Sequence, residues 1–110
     1  MIVGSPKEVK NKEFRVGITP SIALELKLNG HRVIIEKGAG LGAGFSDKDY
    51  FELGAEILQT GSEVFEHADM IVKVKEPQEH ERQLLRQGQI LFTYLHLAAD
   101  HDQTLSLIHI

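Results

Sequence analysis

The chain has 110 residues, 42% hydrophobic and 25% charged, with a formal net charge of -4. That suits one domain with its own core, and the acidic balance argues against nucleic acid, whose phosphates call for a basic surface. With no cysteine, disulfides, thiolate catalysis and cysteine-zinc sites are excluded.

No apolar run reaches the roughly 18 residues of a membrane span. The opening Met1-Ile2-Val3-Gly4 lacks the basic and apolar regions of a signal peptide. The six histidines show no HExxH or other metal-ligand spacing. A cytoplasmic protein without a membrane segment or a metal is the expectation.

In chain order, Ile2-Val3-Gly4 predicts a first strand. Thr19-Pro20-Ser21 then opens a helix, Thr19 as the cap and Pro20 at the first helical position, where its missing N–H costs nothing. Ile22, Leu24, Leu26 and Leu28 follow, and Gly30 is placed to end it. Val33-Ile34-Ile35 is a second strand. Ser46-Asp47 opens a shorter helix that stops near Gly54, and Ala55-Glu56-Ile57-Leu58 is a short, mixed third strand.

Ser62 opens a helix with Val64 and Phe65 inward, and Met70 to Val74 is a fourth strand. Pro77 starts a polar helix through Leu84 and Leu85, ended by Gly88. Gln89 to Leu95 is a fifth strand, and Asp100 is placed to cap a last helix. Four of these strands are rich in Val or Ile and are bounded by Gly, Asp or Pro.

Strands alternating with helices at this spacing imply βαβ units and a mostly parallel sheet covered on both faces. The fold class is α/β, a Rossmann-like or flavodoxin-like three-layer domain. The apolar ending Leu105-Ser106-Leu107-Ile108-His109-Ile110 is unusual for a domain terminus. It points to an incomplete domain, whose unpaired sheet edge invites self-association.

In open α/β sheets, ligands bind beyond the carboxyl ends of the strands. Arg15 lies after the first strand, Lys75 at the exit of the fourth and His96 at the exit of the fifth. Such a cluster suits a small anion. Arginine offers a forked donor to a carboxylate, lysine a point charge, and histidine a proton donor or acceptor near neutral pH. Each residue also has a plainer reading. Lys73 shares a face with Lys75, so one of the two is structural; His96 follows an apolar run and suits a core; Arg15 has Glu13 and Glu8 as ion-pair partners.

Gly38, Gly40 and Ala43 satisfy the G-x-G-x-x-G/A pattern of a pyrophosphate-binding turn. The helix, however, starts only at Ser46-Asp47, and Asp47 would repel a phosphate. A turn or substrate-side loop is the better reading. The charged run Glu76 to Arg82 reads as a solvated helix start, its acids favoured by the helix dipole.

Ser5-Pro6-Lys7-Glu8-Val9-Lys10-Asn11 with Arg15-Val16-Gly17-Ile18-Thr19-Pro20 resembles the opening of alanine dehydrogenases and of nicotinamide nucleotide transhydrogenase alpha chains. Glu36 to Gly40, Phe45-Ser46-Asp47, Tyr50, Gly54 to Ile57 and Lys73-Val74-Lys75-Glu76-Pro77 continue the match. Leu91-Phe92-Thr93-Tyr94-Leu95-His96-Leu97-Ala98 resembles alanine dehydrogenases specifically.

The resemblance implies an NAD-dependent, reversible deamination of L-alanine to pyruvate and ammonia. It implies that Arg15 and Lys75 grip the substrate, that Lys75 and His96 are catalytic with His96 as acid/base, and that Tyr94 lines the pocket. Residues 1–110 would then be a portion of the N-terminal substrate domain. The NAD-binding domain is absent from these residues, and the chain alone is inactive although the family forms homo-oligomers. Two other readings stand beside this one: a catalytically dead anion-binding or interaction module, and a transhydrogenase alpha-chain relative.

Overall fold

The computed structural model describes residues 1–9, 12–95 and 104–109, with side chains as far as Thr93. Ten elements follow in order: β1 (Ile2–Ser5), α1 (Pro20–Leu28), β2 (Arg32–Glu36), α2 (Asp47–Glu52), β3 (Glu56–Leu58), α3 (Gly61–His67), β4 (Met70–Lys73), α4 (Glu79–Arg82), β5 (Ile90–Leu95) and β6 (Thr104–His109). A single 3-10 turn, Leu41–Ala43, sits in the glycine loop.

The sheet order is β3-β2-β1-β4-β5-β6. The first five strands are parallel, and β6 pairs antiparallel with β5. All five expected strands therefore form, within a residue or two of their expected ends. The order reverses between β1 and β4, which makes that gap the topological switch point.

The strand sequences are apolar on consecutive residues because both faces are covered. Val33 and Ile35 face one core with Val3, Ala23 of α1 and Tyr50 of α2. Ile34 faces the other, with Val64 and Phe65 of α3, Ala68, Ile71 and Leu91. At Gly4 a Cβ would meet Val64, Ala68 and Ile34, so α3 lies close upon β1 only because that position is bare.

Helix ends follow the sequence signals with two corrections. Thr19 accepts from the Ile22 amide and Pro20 is the first helical residue, as expected. Ser46 and Asp49 form a reciprocal capping box on α2. Helix α3, in contrast, is capped by Thr60, not Ser62. Helix α4 is one turn, Glu79–Arg82, rather than a helix from Pro77 through Leu85. Leu84 and Leu85 instead pack as partly buried side chains against the α3-side core. Asp100, the expected last cap, lies outside the described residues, and from Thr104 the chain is a strand.

Candidate functional site

Two side-chain hydrogen bonds hold β1 against β4, where the ladder itself registers only Val3 with Met70 and Gly4 with Ile71. The Ile2 amide donates to Asp69 at 2.7 Å. Ser5 Oγ donates to the Val72 carbonyl at 2.9 Å. Gly17 then crosses β4 so closely that a Cβ would collide with the Val72 carbonyl. The segment carrying Arg15 is thereby laid across the exit of β4. Its far end is tied down by the buried Tyr50 hydroxyl, which donates to the Ile18 carbonyl at 2.6 Å.

Arg15 is exposed and forms a forked ion pair with Glu13. Its Nε donates to Oε2 at 3.1 Å and its Nη2 to Oε1 at 2.9 Å. Glu13, only 5% exposed at its side chain, is held below the usual carboxylate range first by that hydrogen bond from Arg15. Burial opposes the shift, and the charge of Lys75 adds to it. The Glu13 carboxylate therefore lies in the field of both cations. Of the two ion-pair partners weighed for Arg15, Glu13 is the one it takes. Lys75 itself is half-buried just past the end of β4.

Lys73 and Lys75 do divide into a structural and a surface residue. Lys73 is 1% exposed and lies 3.0 Å from Glu8 and 3.1 Å from Glu81. The charged run after Lys75 is thus not wholly solvated: Glu81 points inward to this ion pair. Nothing in the sequence marks Glu8 or Glu81 as buried. The one usable signal was the pair of lysines two apart on an otherwise apolar strand.

The glycine loop does not fit a nucleotide. The Gly38 amide donates to Asp47 Oδ1 at 2.8 Å, so a carboxylate already takes the donor a phosphate would need. Gly40 is bare because the ring of Tyr50 packs against it, and Gly42 because Phe14 does. The loop is a packing turn around α2. Among the described residues, no group of three or more His, Asp or Glu could hold a metal ion. None of their helices is long and apolar enough to cross a membrane.

A groove of about 770 Å³ opens beside Arg15 and runs along the α1 side of β4 and β5, over Ile22, Leu26, Met70, Val72 and Phe92. Tyr94 lies on β5, its side chain outside the described residues, and His96 lies outside them altogether.

The order of the strands and their coverage on both faces define an open α/β domain, a class in which ligands generally sit at the carboxyl edge of the sheet by the switch point. Residues 4–109 match the family model described as alanine dehydrogenase/PNT, N-terminal domain, and the chain belongs to that family. It is 55% identical over 108 residues to an alanine dehydrogenase of Methanococcus maripaludis, covering 98% of this chain and 29% of that protein. An alanine dehydrogenase of Bacillus subtilis is 51% identical over 102 residues, 93% of this chain and 27% of its own length.

Among solved structures, an L-alanine dehydrogenase superposes with a TM-score of 0.85 at 50% identity, over 92% of this chain and 28% of that one. A transhydrogenase from Sinorhizobium meliloti gives 0.80 at 33% identity, over 86% and 27%. The chain thus spans under a third of the length of these relatives.

Proposed function

We propose that residues 1–110 are the first portion of the substrate domain of an alanine dehydrogenase, interconverting L-alanine with pyruvate and ammonia. What carries the reading is the pair Arg15 and Lys75, which follow β1 and β4 on either side of the switch point in a chain of this family. Arg15 receives the substrate carboxylate. A guanidinium presents forked N–H donors that match the two oxygens of a carboxylate. Lys75 places a positive charge on the substrate's carbonyl oxygen, favouring the charge that develops there.

His96 moves the proton, and Tyr94 lines the pocket wall. The higher identity to alanine dehydrogenases than to the transhydrogenase favours alanine chemistry over hydride exchange between nucleotides.

NAD would accept the hydride and would be held by another domain of the full-length enzyme; Asp47 and Tyr50 fill the glycine loop, which does not suit its pyrophosphate. On their own these residues do not turn over alanine. The domain works in the cytoplasm as part of a homo-oligomer.

A chimera tests the proposal. The 108 matching residues replace the corresponding segment of the Methanococcus maripaludis relative, and alanine-dependent NADH formation is followed. Activity is expected. It should fall about 10²–10⁴-fold with His96→Ala, the range for losing a general acid/base, and Arg15→Ala should raise KM for pyruvate. A chimera indifferent to Arg15, Lys75 and His96 would overturn the assignment.

A further inference from the structure

The buried cluster of Glu8, Lys73 and Glu81 has no evident role in stability. Two carboxylates and one ammonium, each at most 3% exposed at the side chain, form an arrangement that apolar side chains of similar volume often match or better. What the cluster does achieve is a tie between distant segments.

Both oxygens of Glu8 are used. Oε1 accepts from Lys73 Nζ at 3.0 Å and from the Lys75 amide at 3.3 Å. Oε2 accepts from the Val74 amide at 3.0 Å. Glu81 takes a second ammonium proton of Lys73 through Oε2 and the Gln78 amide, at 2.9 Å, through Oε1. Glu8 belongs to the loop that leads from β1 toward Arg15, while Val74 and Lys75 are the first residues past β4. One carboxylate therefore joins the two loops that carry the candidate cations.

We propose that Glu8, oriented by Lys73, is a positioning residue that fixes the Lys75 backbone against the β1 loop and so sets the spacing of Lys75 and Arg15 for a 2-keto acid. This rests on the reading of Arg15 and Lys75 as substrate ligands. Glu8 touches no substrate. Glu81 anchors only Lys73 and the start of α4, so it provides a matched control with the same charge change.

The test compares Glu8→Gln with Glu81→Gln in the 110-residue chain. Either variant leaves Lys73 one carboxylate, and the buried charge of the trio passes from negative to neutral, so both are expected to fold. A glutamine at position 8 has one acceptor oxygen, so its NH2 group meets as a second donor either the Val74 amide or, in the other orientation, both Lys73 and the Lys75 amide. Hydrogen exchange of the Val74 and Lys75 amides should speed up at least about 10-fold in Glu8→Gln. In Glu81→Gln the change should stay under about 3-fold.

Pyruvate affinity, read by NMR titration, should fall about 10-fold in Glu8→Gln alone. Equal effects of the two variants on exchange, or none, would overturn the proposal. So would pyruvate affinity unchanged in Glu8→Gln. If the parent chain binds no pyruvate while the amides respond selectively, the clamp stands and it is the assignment of Arg15 and Lys75 that fails.

Discussion

Replacing Tyr50 by Phe removes one atom from the best-defined tether of the Arg15 segment. The ring keeps its edge-on contact with Phe45, at 6.4 Å between centroids, and its place against Gly40. Only the hydrogen bond to the buried Ile18 carbonyl is lost. Losing a donor to a buried acceptor costs about 1–3 kcal/mol, and in a domain this size each kcal/mol lowers Tm by roughly 4–8 °C. Urea and thermal unfolding should both show it at pH 7.

The pH dependence gives a second, independent reading. Burial, followed by the negative charges of Asp47 and Asp49, pushes the Tyr50 phenol up to about 12. The unfolded phenol ionises near 10.0. The folded state therefore keeps a proton that the unfolded state has released. Its contribution is fully present below pH 10 and is lost as pH rises toward 12. The size is about 2–3 kcal/mol at roughly 1.4 kcal/mol per pH unit. The gap between parent and Tyr50→Phe should shrink over that window. An unchanged midpoint at pH 7, or a Tyr50 phenol titrating near 10, would refute the reasoning.

Three further outcomes are expected. Gly17→Ala puts a Cβ into the Val72 carbonyl, so a loss of about 1–3 kcal/mol should appear in urea unfolding, with shifted amides from Arg15 to Ile18. Gln89→Leu strips the donor that serves the Phe65 and Ala68 carbonyls at 2.7 and 2.8 Å, and about 1–3 kcal/mol should be lost. Glu13, depressed by Arg15, adds stability above its ordinary value of 4.5 that is lost as pH falls through its lower folded value. Glu13→Gln should therefore flatten the acid limb of a stability–pH curve.

The architecture was legible because its signals are local. Four of the five expected strands are rich in Val or Ile, and Thr19-Pro20 and Ser46 announce their helices through the hydrogen bonds they make. Thr60 was missed as a cap because Ser62 offers the same chemistry two residues later, and only the backbone path decides between them. The polar helix was expected too long. Leu84 and Leu85 look like the apolar side of a helix but reach the core from a non-helical segment.

At the candidate site, position after a strand is what singles out Arg15 and Lys75 as candidates. The buried carboxylates near them were not legible. Glu8 lies 65 residues from Lys73, and no periodicity connects a loop glutamate to a lysine that far along. Glu81 sits in a run whose composition reads as solvated, and its burial is set by tertiary packing alone.

The central claim is that the exits of β1 and β4 form part of a keto-acid site. Titrating pyruvate into the isotope-labelled 110-residue chain tests it most directly. Selective shifts are expected at Arg15, Lys75 and His96, abolished by Arg15→Ala with the rest of the spectrum preserved. A folded chain whose spectrum ignores pyruvate, or one that responds identically without Arg15, would contradict it.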